Sequence, residues 1–155
     1  MHILAIDPAT LCGWAAWDDV EVCSGVWNLK PGRGETPGVR FLRFEACLRL
    51  AMMEPPRIVA WEQSHQQGNA SAVYNGLKAI MQKQVAKWVR CHDVDVLTCN
   101  NTTLKKWSTG SGRASKEDMI QAAMARYCEY TLHLLDDNEA DALLLLAWAR
   151  EQVGE

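Results

Sequence analysis

The 155-residue chain reads as an α/β fold built on a five-stranded mixed sheet flanked by helices. Two observations predict it. Three strand patterns come first, then helical patterns alternate with two more strands, an order that gives both antiparallel and parallel neighbours. Two of the strand patterns, Ile3-Leu4-Ala5-Ile6 and Ile58-Val59-Ala60-Trp61, are unbroken apolar runs, as for strands buried on both faces. A hydrophobic content of 48% supports one domain over residues 1–155 with its own core. The 23% charged fraction and the lack of low-complexity runs exclude a disordered chain.

The first strand covers residues 2–7 and breaks at Pro8-Ala9-Thr10, with Gly13 marking a turn. Strands over 14–17 and 21–27 follow, separated by the acidic turn Asp18-Asp19. Lys30-Pro31-Gly32-Arg33-Gly34 is a loop. From Val39 the period becomes helical, with Phe41, Phe44, Cys47, Leu48 and Met52 on one stripe, and Pro55-Pro56 closes it. A fourth strand covers 57–62. A long helix over about 70–91 shows Val73, Leu77, Ile80 or Met81, and Trp88 on its apolar side. Its Lys83, Lys87 and Arg90 share another face, which is either solvated or turned to a polyanion. The fifth strand is 94–98, a short helix covers 100–107, and 109–114 is a glycine-containing loop. Ser115 reads as the N-cap of a helix to Tyr130. Asp136-Asp137-Asn138 can cap the last helix, which is apolar all round after Asp141 and must be buried.

Several classes drop out. The longest apolar stretch, 142–149, is far short of the ~20 residues that span a bilayer, and no basic-then-apolar leader opens the chain. A cytoplasmic protein is expected, in a host's cytoplasm if the chain is viral. The six cysteines contain no C-x-x-C pair and the four histidines lack ligand spacing, so zinc and redox sites are not expected. Reduced thiols packed as small hydrophobes fit better.

The acids carry the functional signal. Asp7 ends the first apolar run and Glu62 the second, while Asp141 lies inside the apolar stretch 140–148. Asn138 and Asp137 precede Asp141 by three and four residues, hence share its helix face. A carboxylate beside buried apolar surface costs several kcal/mol unless a cation or strong donors compensate. Singly, each acid is equally well a strand-end cap or a loop-facing acid. Together, at the ends of different core elements, they point to a shared metal, and hard oxygen ligands suit Mg²⁺ or Mn²⁺. The last helix would complete the set by crossing the sheet at the two strand ends.

Four segments resemble one family. Ile3-Leu4-Ala5-Ile6-Asp7-Pro8-Ala9-Thr10 with Gly13 is similar to the opening strand of the RuvC-type Holliday junction resolvases. Trp61-Glu62-Gln63 resembles their second acidic motif, and the stretch from Lys105 to Lys116 their lysine- and glycine-rich segment. Asp137-Asn138-Glu139-Ala140-Asp141-Ala142-Leu143 resembles their terminal acidic helix. The wording is closest to the bacteriophage branch, and the four segments span nearly the whole chain in the family's order.

The resemblance implies an RNase H-like fold, a homodimer, and metal-dependent hydrolysis of phosphodiesters in branched DNA, four-way junctions above all. Asp7, Glu62, Asn138 and Asp141 would hold Mg²⁺ or Mn²⁺, two ions per site. Lys105 and Lys116 match the basic positions near the scissile phosphate. Lys106 and Arg113 join them as DNA-binding residues. Two departures are visible. Asn138 brings one neutral oxygen where the family has a fuller ligand, so Asp137 or a water can assist. The segment Gln63-Ser64-His65-Gln66 lacks the aromatic that wedges into the junction in cellular members.

Other features are ambiguous on sequence. Lys116 falls in the first turn of its helix, where the dipole disfavours a cation, so it is either functional or an ordinary solvated lysine. Trp107, among lysines, touches DNA or covers a helix end. The net charge of −3 does not oppose DNA binding, because eight of the sixteen lysines and arginines lie between Lys78 and Lys116. The competing functions are a junction-binding protein with weak or no cleavage, a broader debranching nuclease, and an RNase H-like activity on hybrids. An Asp-x-Ala-Thr-x-x-Gly turn also occurs in sugar-kinase-like ATPases, but those chains are much longer and duplicated.

Overall fold

The computed structural model describes residues 2–63, 69–89, 92–127 and 136–155. The expected tails of two helices, to Cys91 and Tyr130, lie outside these residues, as do His65, Gln66, Arg90, Cys128 and His133. Five strands and five helices are present among the described residues. In order they are β1 (Ile3–Asp7), β2 (Leu11–Trp17), β3 (Val22–Asn28), α1 (Val39–Ala51), β4 (Ile58–Gln63), α2 (Asn69–Val89), β5 (Asp95–Asn100), α3 (Asn101–Thr109), α4 (Lys116–Tyr127) and α5 (Asp137–Gln152).

The sheet runs β3-β2-β1-β4-β5. The leading meander pairs antiparallel, whereas β1–β4 and β4–β5 are parallel, each joined through a helix. The mixed α/β fold expected from element order is therefore present. Strand alternation sorts the side chains into two cores. Leu4, Ile6, Val59 and Trp61 face Phe44 and Leu48 of α1 and Leu77 and Met81 of α2. Ile3, Ala5, Ala15, Ile58 and Ala60 face α5, with α3 and α4 alongside. Alanines at Ala5, Ala15 and Ala60, against Ala140, Ala142 and Ala149, let α5 lie close on the sheet, and residues 142–146 of α5 are all buried.

Gly13 corrects the sequence reading. It is not a turn residue but lies within β2, paired with Asp7 of β1. A Cβ there would fall 1.9 Å from the backbone oxygen of Asn138, so only glycine admits the start of α5 at this point. Two helix starts are fixed as expected. Ser115 and Asp118 form a reciprocal capping box, the Asp118 amide donating to Ser115 Oγ at 3.1 Å and the Ser115 amide to Asp118 Oδ2 at 2.9 Å. Asp136 caps α5, accepting from the amides of Asn138 at 2.9 Å and Glu139 at 3.1 Å. Buried Glu139 takes a 2.7 Å hydrogen bond from Ser24 Oγ and ties α5 to β3.

The ambiguous surface residues resolve locally. Lys83 pairs with Glu45 of α1 at 3.4 Å and Lys87 donates to Gln84 at 3.1 Å, contacts typical of a solvated face. Trp107 donates to Glu151 at 3.1 Å and carries the Arg126 guanidinium 4.4 Å above its ring, so it covers the ends of α4 and α5. Cys12, Cys23, Cys47 and Cys99 are free thiols. No helix among the described residues is long and apolar enough to cross a membrane.

Candidate active site

The parallel ladder of β1 and β4 ends in two acids. Ile6 pairs with Trp61, so Asp7 and Glu62, one residue further on, stand on adjacent strands. By alternation both share the face of Ile3, Ala5, Ile58 and Ala60, the face that α5 covers. The close approach at Gly13 then sets the first turns of α5 over this corner, bringing in Asp137, Asn138 and Asp141. Three elements far apart in sequence thus deliver their acids to one place.

The electrostatics record how near these groups are. Burial pushes the Asp7 carboxyl well above the usual carboxylate range, and the charges of Glu62, Asp141 and Asp137 push it further. Asp141 is raised to about 7, first by burial and then by Glu62, while Lys105 and Lys116 pull the other way. Glu62, buried, is raised by desolvation and held down by a hydrogen bond from Asn101 and the charge of Lys105. Asp141 Oδ1 is buried and has no hydrogen-bond partner. An unsatisfied carboxylate oxygen inside a cluster of like charges is costly, and a cation would relieve it.

Glu62 is gripped twice. Asn101 Nδ2 donates to its Oε1 at 3.0 Å, and the Tyr74 hydroxyl donates to its backbone oxygen at 3.1 Å. The Asn138 amide nitrogen donates to Asp136 Oδ1 at 3.2 Å and Asp137 Oδ1 at 3.3 Å, which leaves its oxygen as the atom able to serve a cation. Among the described residues no three His, Cys, Asp or Glu side chains already converge on a single point. The donor set nevertheless fits a hard divalent ion: carboxylate oxygens, mutually repelling, one of them buried without a partner.

The bases line one side of this corner. Lys105, half-buried on α3, donates to the Ala114 carbonyl at 2.9 Å and so anchors the loop that leads to α4. That loop starts at Gly110, whose φ of 83° ends α3 in the left-handed conformation. Lys116, at the first position of α4, forms an ion pair with Asp137, and this bond raises its pKa. The pairing answers why a lysine tolerates the positive end of a helix. Lys106 and Arg113 are exposed on the same segment. The structure thus brings Asp7, Glu62, Asp141, Asp137, Lys105 and Lys116 into one electrostatic unit, while Lys106 and Arg113 stay exposed close to Lys105 and Lys116 in the chain. Sequence reasoning missed Asn101 and Tyr74, whose roles depend on the β4–β5 register and the α2 position.

No family model matches the sequence. No curated protein matches it either. Solved structures do. A structure of Thermus thermophilus RuvC superposes with a TM-score of 0.71 at 20% identity, over 99% of this chain and 97% of that one. The chain has the RuvC fold. The same enzyme in complex with a Holliday junction substrate gives 0.71 at 19% identity, over 97% of this chain and 95% of that one. The fowlpox virus resolvase bound to Holliday junction DNA gives 0.61 at 15% identity, covering 100% of both chains. The RNase H-like architecture expected from the four motifs is therefore observed along the length of the chain.

Proposed function

We propose that this protein is a metal-dependent, structure-selective endonuclease that hydrolyses phosphodiesters in branched DNA, four-way junctions foremost. The observation that carries the reading is the gathering of Asp7, Glu62 and Asp141, with an unpartnered buried oxygen on Asp141, at one corner of a RuvC fold. Asp7, Glu62 and Asp141 would hold Mg²⁺ or Mn²⁺, with Asn138 or Asp137 as the fourth ligand. Two such ions, when bound, supply activation of the attacking water and neutralisation of the leaving oxygen.

The chain's own residues do the rest. Asp7, which feels burial and the charges of Glu62, Asp141 and Asp137, is the natural central ligand. Burial of Glu62 at the end of β4, with Asn101 of α3 on its carboxylate, limits the water that competes for it. Lys105 and Lys116 place positive charge beside the acids, where it can steady negative charge on the phosphoryl oxygens as the phosphorus is attacked. Lys106 and Arg113, exposed nearby, bind backbone phosphates and set the register of the DNA. We place paired cleavage in a homodimer, because a four-way junction presents two symmetry-related strands. α2 is the contact, since Val89 is 54% exposed and Val96 of the neighbouring β5 is 42% exposed beside Val85 and Ala86.

The deciding experiment incubates the protein with labelled four-way, three-way and linear DNA, with and without Mg²⁺. Cleavage of the four-way junction only with the ion is expected. Binding without cleavage in either Mg²⁺ or Mn²⁺ would favour the second reading, a junction-binding protein weakened by the neutral amide at Asn138.

A further inference from the structure

We infer that Asn101 is a positioning residue of this site: its amide holds one oxygen of Glu62 and thereby presents the other to the divalent ion. The inference rests on the reading of Glu62 as a ligand. Asn101 Nδ2 donates to Glu62 Oε1 at 3.0 Å. That bond leaves Oε2 as the oxygen not engaged by the amide.

The amide is itself well anchored. Asn101 is the first residue of α3 and follows β5 directly, where Cys99 pairs with Glu62 and Asn100 with Gln63. Asn100 caps the helix, accepting from the Thr103 amide at 2.8 Å, so the backbone at Asn101 is fixed on both sides. Glu62 is in turn fixed at its backbone by Tyr74. What remains free is the glutamate side chain, with three rotatable bonds whose ordering costs entropy on ion binding. A neutral donor suits this position because it orients the carboxylate without cancelling the charge the ion needs. Lys105, one turn along α3, supplies the cation that the amide does not. Ligand-orienting hydrogen bonds of this kind change metal affinity by about ten- to a hundredfold when removed.

The test measures Mn²⁺ binding to the DNA-free protein by calorimetry or by the spin resonance of free Mn²⁺, for wild type, Asn101→Ala, Glu62→Gln and the double variant. Asn101→Ala should weaken Mn²⁺ by about tenfold. The divalent concentration giving half-maximal cleavage should rise by the same factor, while junction affinity in chelator stays unchanged. In the Glu62→Gln background, Asn101→Ala should add nothing. Unchanged Mn²⁺ affinity in Asn101→Ala, with affinity lost in Glu62→Gln, would overturn the positioning role alone. Unchanged affinity in both single variants would instead remove Glu62 from the ligand set, and the inference with it.

Discussion

At Asp7 the cost of the acidic cluster concentrates, because burial and three neighbouring acids act on one carboxyl. Asp7→Asn keeps the shape and removes the charge. Cleavage should fall by more than the roughly ten- to hundredfold that loss of an outer-shell partner of a metal ligand costs. Junction binding should persist, since affinity comes mainly from bases on phosphates. The same variant in chelator should melt higher than wild type, by about 2–4 °C for each kcal/mol of repulsion relieved. A lower melting point, or surviving cleavage, would take Asp7 out of the site. That the three carboxylates meet was legible in the sequence because acids on three separate core elements are harder to explain as caps together than singly. Between Asn138 and Asp137 the sequence does not choose, because spacings of three and four share a helix face. The structure adds that Asp137 acts on Asp7 through its charge, while Asn138 is neutral. If Asn138 is the ligand, Asn138→Asp should lower the Mg²⁺ needed for cleavage and Asp137→Asn should matter less. If Asp137→Asn abolishes cleavage while Asn138→Ala does not, Asp137 is the ligand.

The elements fold as their patterns suggest, and their order, the buried last helix and the Ser115 cap are all readable from periodicity and capping chemistry. What periodicity could not give is how closely α5 lies on β2. Gly13 looks like punctuation after Pro8, yet its missing side chain is the space that the Asn138 carbonyl fills. Gly13→Ala should therefore act on the site through the helix. Overpacking of this kind costs roughly 1–3 kcal/mol. For a chain of this size that lowers the melting temperature by about 2–4 °C per kcal/mol. Cleavage should fall more than stability does, because displacing the start of α5 moves Asp137 and Asp141 away from Asp7. Wild-type activity in Gly13→Ala would mean that α5 tolerates a shift and that the acids need not be held so closely. The partnership of Asn101 with Glu62 was hidden for a similar reason. A polar residue at a helix start is ordinary on sequence, and only the pairing of β4 with β5 puts it beside the acid.

Over the whole molecule, the acidic corner makes stability depend on pH and on divalent ions together. Asp7, Glu62 and Asp141 all have folded-state pKa values raised above their ordinary ones, with Asp141 moved from 3.8 to about 7. An acid raised in this way keeps its proton longer in the folded state than in the unfolded one. Between the two pKa values the folded chain binds more protons, so raising the pH destabilises it. The contribution is fully present below the unfolded value and is lost as pH climbs through the folded one. In chelator, the melting temperature should fall as pH rises from about 4 to about 7, the window of Asp141, and the raised Asp7 adds to the loss. Mg²⁺ or Mn²⁺ should reverse this loss, because ions bind the deprotonated cluster and only in the folded state. An ion at a hundred times its dissociation constant stabilises by about 2.7 kcal/mol. The gain on adding the ion should therefore be large at pH 8 and small at pH 5, where protons compete for the same oxygens. Melting curves at both pH values, with and without Mg²⁺, give four numbers that decide the matter. An equal gain at pH 5 and pH 8, or none at either, would mean that the clustered acids are not where the ion binds.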